Sequence, residues 1–282
     1  MDIAQEQINQ FITDALAEDI GTGDHTSNAC IPEGAIDEAQ LLVKDIGIIA
    51  GVALAEQIFR TLDPETEFET LIPDGSEVKE GDVAFRVKAK ARAILKGERL
   101  ALNAMQRMSG IATLSNRFAT EVEGIDVKIL DTRKTTPLLR FLEKWAVRIG
   151  GCTNYRDGLY DWIMIKDNHI DACGSVEKAI QQVHSYLKEN KLDLGITVEV
   201  RNLVELHETL RVGGITRIML DNFELPLLQE AIHTIGKRFE SEASGGITLQ
   251  NVRRVAETGV DYISVGALTH SAGSLDMSLK IV

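Results

Sequence analysis

Two adjacent cations, Arg133 and Lys134, follow a short apolar run in 129-ILDTRKTTP-137, in a chain whose formal net charge is −13. Net charge governs solubility and long-range steering, not the content of one cleft, so the pair has a local use. The chemistry that calls for it is the binding of a small, multiply charged anion. Five further apolar runs also end on residues able to do chemistry. In 162-WIMIKDNH-169 these are Lys166, Asp167, Asn168 and His169; in 196-ITVEVRN-202, Glu199 and Arg201; in 217-RIMLDNF-223, Asp221 and Asn222. In 241-SEASGG-246 they are Ser244, Gly245 and Gly246, and in 261-DYISVGA-267, Gly266. One polar strand end needs no explanation beyond a wet loop. Cations on the early runs, carboxylates on the middle ones and Ser or Gly on the last two form a division of labour. It suits an anion, a divalent cation and a phosphate.

Glycine after a strand lets backbone approach a phosphate closely, and the start of a following helix offers free N–H donors. The stretch 244-SGGITLQNVRRVAETG-259 supplies glycines and then a helix, and 264-SVGALTHS-271 repeats the order one strand later. Tight turns without a ligand are the alternative. Glu199 and Asp221 lie inside apolar runs, where a carboxylate is costly unless it is paired or ligates a cation. Two readings stand: a magnesium site completed by substrate phosphates, and buried ion pairs to Lys166 or Arg133. Both hold if the metal arrives with the substrate. Arg133 and Arg156 can each grip a carboxylate or phosphate with two parallel bonds, which Lys cannot. His169 and His25 lack the nucleophile partner of a hydrolase triad, so a structural role is expected for His169. Cys152, in 150-GGCTNYR-156, lacks a His partner, and no thiol nucleophile is expected.

The elements that carry these residues follow from periodicity. From the third apolar run onward the runs recur every 20–25 residues or so, the length of one βα unit, which predicts a parallel α/β sheet. A barrel is preferred over a doubly wound sheet because every run ends on polar residues, and barrel enzymes build sites from the carboxyl ends of many strands. Paired Gly loops on the last two strands also match the usual phosphate position of such barrels. Upstream, Ile8, Ile12 and Leu16 predict a helix over 3–17, and EDIGTGDHTS reads as a loop. The runs 40-QLLVKDIGIIAG-51 and 69-ETLIPDGSEVKEGDVAFRVKA-89 read as strands and turns around a helix, 52-VALAEQIFRTL-62. A long helix over 93–124, with a possible break at Ser109-Gly110, leads into the βα repeats.

Composition narrows the class. A chain of 282 residues, 44% hydrophobic and 26% charged, is an ordinary soluble globular protein large enough for one or two cored modules. The negative charge argues against a duplex nucleic-acid binder. Three cysteines without CxxC spacing suggest a reducing cytosol. The opening residues lack a signal-peptide pattern and no run reaches the roughly 18 apolar residues of a membrane span, so a cytoplasmic protein is expected.

The stretches 98-ERLALNAMQRMSGIAT, 130-LDTRKTTPLLRFLEKWAVRIGG, 160-YDWIMIKDNHI, 198-VEV, 220-LDN, 243-ASGGI and VDYISVGALTHS, with the early EDIGTGDHTS, resemble the quinolinate phosphoribosyltransferases. The DTRKT stretch followed by KDNH is the specific part. The resemblance implies an α/β fold in which an N-terminal α+β sandwich precedes an incomplete, open α/β barrel with phosphate loops at its carboxyl strand ends. Residues 1–108 would form the sandwich and 109–269 the barrel, with 270–282 packing back on the sandwich. It also implies the reaction of quinolinate with phosphoribosyl pyrophosphate, giving nicotinate mononucleotide, carbon dioxide and pyrophosphate in NAD biosynthesis. Magnesium would be needed and no organic cofactor. By position the substrate contacts would be Arg99, Thr132, Arg133, Lys134, Tyr155, Arg156, Lys166, Glu199 and Asp221. The phosphate loops would be Ser244, Gly245 and Gly246, and Ser264, Val265 and Gly266. Lys134, Lys166, Glu199 and Asp221 would be catalytic, with Glu199 and Asp221 also on the metal. Arg99 would reach the neighbouring subunit's site in a homodimer or higher homo-oligomer.

Two positions depart from the family pattern. Tyr155 stands where a His is usual and can donate a hydrogen bond but cannot be cationic at neutral pH. Leu138 stands where Gly is common. A related transferase acting on another pyridine or pyrimidine acid, and a non-catalytic phosphometabolite-binding regulator, are the competing readings.

Overall fold

The structure is a computed structural model that describes residues 5–282. The chain forms two compact units. One contains the described residues up to Asn116 together with Thr136–Gly151 and Ser271–Val282; the other contains Arg117–Thr135 and Cys152–His270.

In the first unit, α1 (Gln5–Ile20) buries Ile8, Ile12 and Leu16, a stripe at four-residue spacing. The expected helix start at Ile3 lies outside the described residues. After a glycine turn, α2 (His25–Cys30) forms where a loop was expected. Asp24 caps it, accepting from the Ser27 amide at 2.9 Å, so the hydroxyl cluster starts a helix. Then come β1 (Ile36–Val43), β2 (Gly47–Ile48), α3 (Val52–Leu62), β3 (Glu67–Thr70), β4 (Glu77–Val78) and β5 (Val83–Lys90). An antiparallel sheet takes the order β12-β1-β5-β3, its first strand being the C-terminal β12 (Met277–Ile281). Ala39, Leu41 and Val43 alternate inward along β1, and Phe59 of α3 meets Phe85 of β5 edge-on at 6.2 Å.

Helix α4 (Ala91–Glu121) runs unbroken for 31 residues. The break considered at Ser109-Gly110 is absent, because both residues serve packing. Ser109 Oγ accepts from the Ala50 amide at 2.8 Å, and a Cβ on Gly110 would lie 1.9 Å from the Gly273 carbonyl oxygen. Glycine there permits close backbone approach inside an intact helix.

The second unit begins with β6 (Lys128–Leu130). Helix α5 (Arg140–Ile149) follows in sequence but belongs to the first unit. Next come β7 (Ile163–Ile165), α6 (Asp167–Cys173), α7 (Val176–Asn190), β8 (Ile196–Val200), α8 (Leu203–Val212) and β9 (Arg217–Asp221). After them are α9 (Leu225–Ile235), β10 (Glu240–Ser244), α10 (Val252–Ala256), β11 (Tyr262–Ser264) and α11 (Ala267–His270). All six apolar runs are strands of one parallel sheet, ordered β6-β11-β10-β9-β8-β7. Every residue of β8 is buried, as expected of a strand covered on both faces. Pairing of β6 with β11 wraps the sheet, but β6 meets the segment before β7 only at a Leu130–Thr153 bridge. The barrel is therefore open at that seam. Because the strands are parallel, their carboxyl ends share one rim. Among the described residues no helix is long and apolar enough to cross a membrane.

Candidate active site

A cleft of about 820 Å³ lies on that rim, within the second unit. Each strand end contributes. Thr132, Arg133 and Lys134 enter after β6; Lys166 closes β7; Glu199 comes from β8; Asp221 and Asn222 from β9; Ser244, Gly245 and Gly246 from β10; Ser264, Val265 and Gly266 from β11. Tyr155 and Arg156 enter from the segment before β7. That segment is fixed by Asp131, which is fully buried and accepts from the Tyr155 amide at 2.8 Å and from Asn154 Nδ2 at 2.5 Å. Of the substrate contacts and phosphate-loop residues that the resemblance implies, only Arg99 does not line the cleft. It lies on α4 in the first unit, exposed, beside Phe11, Leu100 and Met108.

The cations are poorly compensated. Arg133 Nε is buried with no hydrogen-bond partner, and Lys134 Nζ makes no ion pair among the described residues. Arg156 donates only to the Trp162 carbonyl at 3.2 Å and, loosely, to Met164 Sδ at 3.6 Å. Its pKa is lowered, first by burial and then by the Arg133 guanidinium. Two like charges face a shared space with no carboxylate among the described residues bonded to either, which is the electrostatics of an anion-binding site.

Lys166 Nζ lies 3.4 Å from Glu199 Oε2, so the ion pair considered for Glu199 is made with Lys166 and not with Arg133. Burial raises the Glu199 pKa, the Lys166 ammonium opposes that shift, and the Asp221 carboxylate adds to it. Asp221 Oδ2 accepts from Asn222 Nδ2 at 2.7 Å. Among the described residues no cluster of three or more His, Cys, Asp or Glu could hold a metal alone.

The two glycine loops differ. Gly245 (φ +91°) could not carry a Cβ, which would lie 2.2 Å from Asn222 Oδ1, whereas Gly246 (φ +65°) faces open space. The helix expected after the glycines of this stretch starts at Val252. Asn251 closes a turn, bonding the Thr248 amide at 2.8 Å and the Gly246 carbonyl at 2.9 Å. After Gly266 the helix α11 begins at once.

Several polar residues of the strand ends serve structure. His169 Nδ1 accepts from the Lys166 amide at 2.9 Å and caps α6, while Arg201 is tied to Glu205 at 2.6 Å and Asp171 at 3.1 Å, outside the cleft. Cys152 is buried, and burial, helped by Asp131, pushes its thiol up to about 12, so it is no nucleophile. Tyr155 lines the cleft. Its hydroxyl sits 2.6 Å from Oγ1 of Thr197, a fully buried residue on β8, and burial raises its pKa. The cleft is also lined by Met164, Met219, Ile247, Thr248, Ala267 and His270, which had not been singled out. His270 was visible one helical turn after Gly266 in VGALTHS; the methionines carried no signal beyond apolar strand patterning.

A parallel barrel with cations, two carboxylates and glycine loops on its carboxyl rim defines a barrel enzyme whose site suits phosphorylated anions. Residues 24–109 match the model of the N-terminal domain of quinolinate phosphoribosyl transferase, and residues 111–280 that of its C-terminal domain. The chain belongs to the quinolinate phosphoribosyl transferase family. It is 50% identical to quinolinate phosphoribosyltransferase [decarboxylating] 1b of Nicotiana tabacum, over 95% of this chain and 80% of the relative. Identity is 41% to a probable nicotinate-nucleotide pyrophosphorylase [carboxylating] of Bacillus subtilis, over 98% of this chain and 93% of that one. The crystal structure of NadC from Streptococcus pyogenes is similar over 100% of this chain and 99% of that one, with 37% identity and a TM-score of 0.93.

Proposed function

We propose that the chain joins quinolinate to phosphoribosyl pyrophosphate, releasing pyrophosphate and carbon dioxide and forming nicotinate mononucleotide. The observation that carries this reading is the uncompensated cation group: Arg133 with a partnerless buried Nε, Lys134 unpaired, and Arg156 bonded only to neutral acceptors. A pyridine dicarboxylate supplies the missing acceptors, and the two arginines bind it through bidentate forks. The glycine loops receive the sugar phosphate through backbone N–H groups.

The ring nitrogen attacks the anomeric carbon as the bond to pyrophosphate breaks, and the leaving group takes the bonding pair. Lys134 and Lys166 offset the charge that grows on its oxygens. The carboxylate next to the ring nitrogen then leaves as carbon dioxide. Its bonding pair stays on the ring, whose positive nitrogen stabilises it, and a proton completes the vacated carbon. The two lysine ammonium groups are acids lining the cleft that could supply that proton. No protein nucleophile enters, which agrees with the buried, protonated Cys152 and the capping role of His169. Holding both reactants in one small cleft provides the proximity term.

Glu199 and Asp221 suit magnesium as two hard oxygen donors in one cleft, too few to hold it without substrate oxygens and water. Bound there, the ion would neutralise charge on the departing pyrophosphate. The active assembly is a homodimer or higher homo-oligomer with Arg99 supplied across the interface. In support, Arg99 is exposed and makes no hydrogen bond or ion pair among the described residues.

The test is a turnover assay with magnesium and phosphoribosyl pyrophosphate, offering quinolinate or nicotinate. One carbon dioxide per pyrophosphate from quinolinate alone is expected; release from nicotinate and none from quinolinate would reject the reading.

A further inference from the structure

A fully buried carboxylate that the scheme above does not use lies beneath the cleft. Glu242, in the middle of β10, accepts from Ser264 Oγ at 2.5 Å through Oε1 and from Arg217 Nη1 at 3.2 Å through Oε2. Tyr155 reaches the same group through its ring, which packs on the Arg217 guanidinium. Trp162 Nε1 donates to Thr197 Oγ1 at 2.9 Å, and Thr197 Oγ1 shares a hydrogen bond with the Tyr155 hydroxyl at 2.6 Å. Ser264, which donates to Glu242 from the neighbouring strand, and Tyr155, whose ring packs on Arg217, are both cleft-lining residues.

Arg217 holds the carboxylate in place. Its Nε and Nη2 bond Glu240 Oε2 at 3.0 and 2.9 Å, and its guanidinium carbon lies 3.7 Å from the Tyr262 ring centre, 4.9 Å from that of Tyr155 and 5.6 Å from that of Trp162. Three rings and two carboxylates around this cation restrain its movement. Satisfied buried polar networks of this kind fix a single geometry, and partly satisfied ones are costly.

We propose that Glu242, clamped by Arg217, is a positioning residue that sets Ser264 for the phosphoribosyl pyrophosphate and Tyr155 for the pyridine dicarboxylate. This rests on the proposed function. It assigns Tyr155 a ring-presenting role, its hydroxyl being committed to the barrel interior.

The experiment measures kcat and KM for each substrate in Glu242→Gln, Ser264→Ala, Tyr155→Phe and the Glu242→Gln/Ser264→Ala double variant. Titration calorimetry with phosphoribosyl pyrophosphate and magnesium accompanies it. Positioning predicts that Glu242→Gln raises the phosphoribosyl pyrophosphate KM about tenfold or more with a smaller change in kcat per folded enzyme. Ser264→Ala reproduces that shift, and the double variant is no worse than the worse single one. Tyr155→Phe raises the quinolinate KM instead. A merely structural role lowers the active fraction, hence kcat, and leaves both KM values in place; that result overturns the proposal. Should Glu242→Gln fail to fold, unchanged KM values in both Ser264→Ala and Tyr155→Phe overturn it equally. A wild-type chain that neither binds nor turns over quinolinate would reject the proposed function itself, a distinct outcome.

Discussion

Glu199 Oε2 lies 3.4 Å from the ammonium of Lys166, yet the carboxyl keeps a raised pKa because burial and Asp221 outweigh that cation. The folded chain therefore holds the Glu199 proton more tightly than the unfolded chain does. Its contribution to stability is fully present below the ordinary value of 4.5 and is lost as pH rises through the raised one. Glu199→Gln should thus melt higher than wild type at neutral pH, flatten the fall in stability just above 4.5, and reduce kcat by about a hundredfold or more. Thermal melts from pH 4 to 8 beside a turnover assay check all three.

Arg133 and Arg156 repel each other across the cleft, and Arg133 Nε has no acceptor to lose. Arg133→Met should therefore leave the melting temperature unchanged or higher while weakening quinolinate binding about ten- to a hundredfold. Arg133→Lys should not restore binding, since an ammonium lacks the planar fork. Calorimetric titration with quinolinate decides it.

The two glycines of the first phosphate loop should respond differently. A Cβ on Gly245 meets Asn222 Oδ1, the neighbour that also orients Asp221, whereas one on Gly246 meets nothing. Gly245→Ala should cripple phosphoribosyl pyrophosphate binding. Gly246→Ala should cost only the left-handed strain, about 1–2 kcal/mol of stability. Denaturant melts and KM values separate the two.

Leu138 is 94% exposed and sits at φ 65°, the left-handed region that a side chain resists. Leu138→Gly should stabilise the chain by about 0.5–1 kcal/mol, read as a higher denaturant midpoint at unchanged slope.

The barrel was legible because its strands are short apolar runs bounded by polar residues, and periodicity reports that directly. Strand-end chemistry was legible for the same reason: a parallel sheet gathers all carboxyl ends on one rim. Long-range packing was not. Nothing in the local sequence around Gly110 announces the Gly273 carbonyl against which it packs, so a glycine that tightens a helix contact read as a helix break. Nor did the GGCTNYR stretch disclose that the Tyr155 hydroxyl turns inward to Thr197, a partner 42 residues away. The polar stretch ESEAS likewise did not disclose that Ser264 and Arg217, from two other strands, converge on Glu242.

The central claim is that the cationic rim of the barrel grips a pyridine dicarboxylate, and a crystal structure with quinolinate tests it most directly. The predicted result has the two ring carboxylates on the Arg133 and Arg156 guanidinium groups, the Arg133 Nε bonded, and the ring against Tyr155. Quinolinate bound elsewhere, with Arg133 Nε still without an acceptor, would contradict the account.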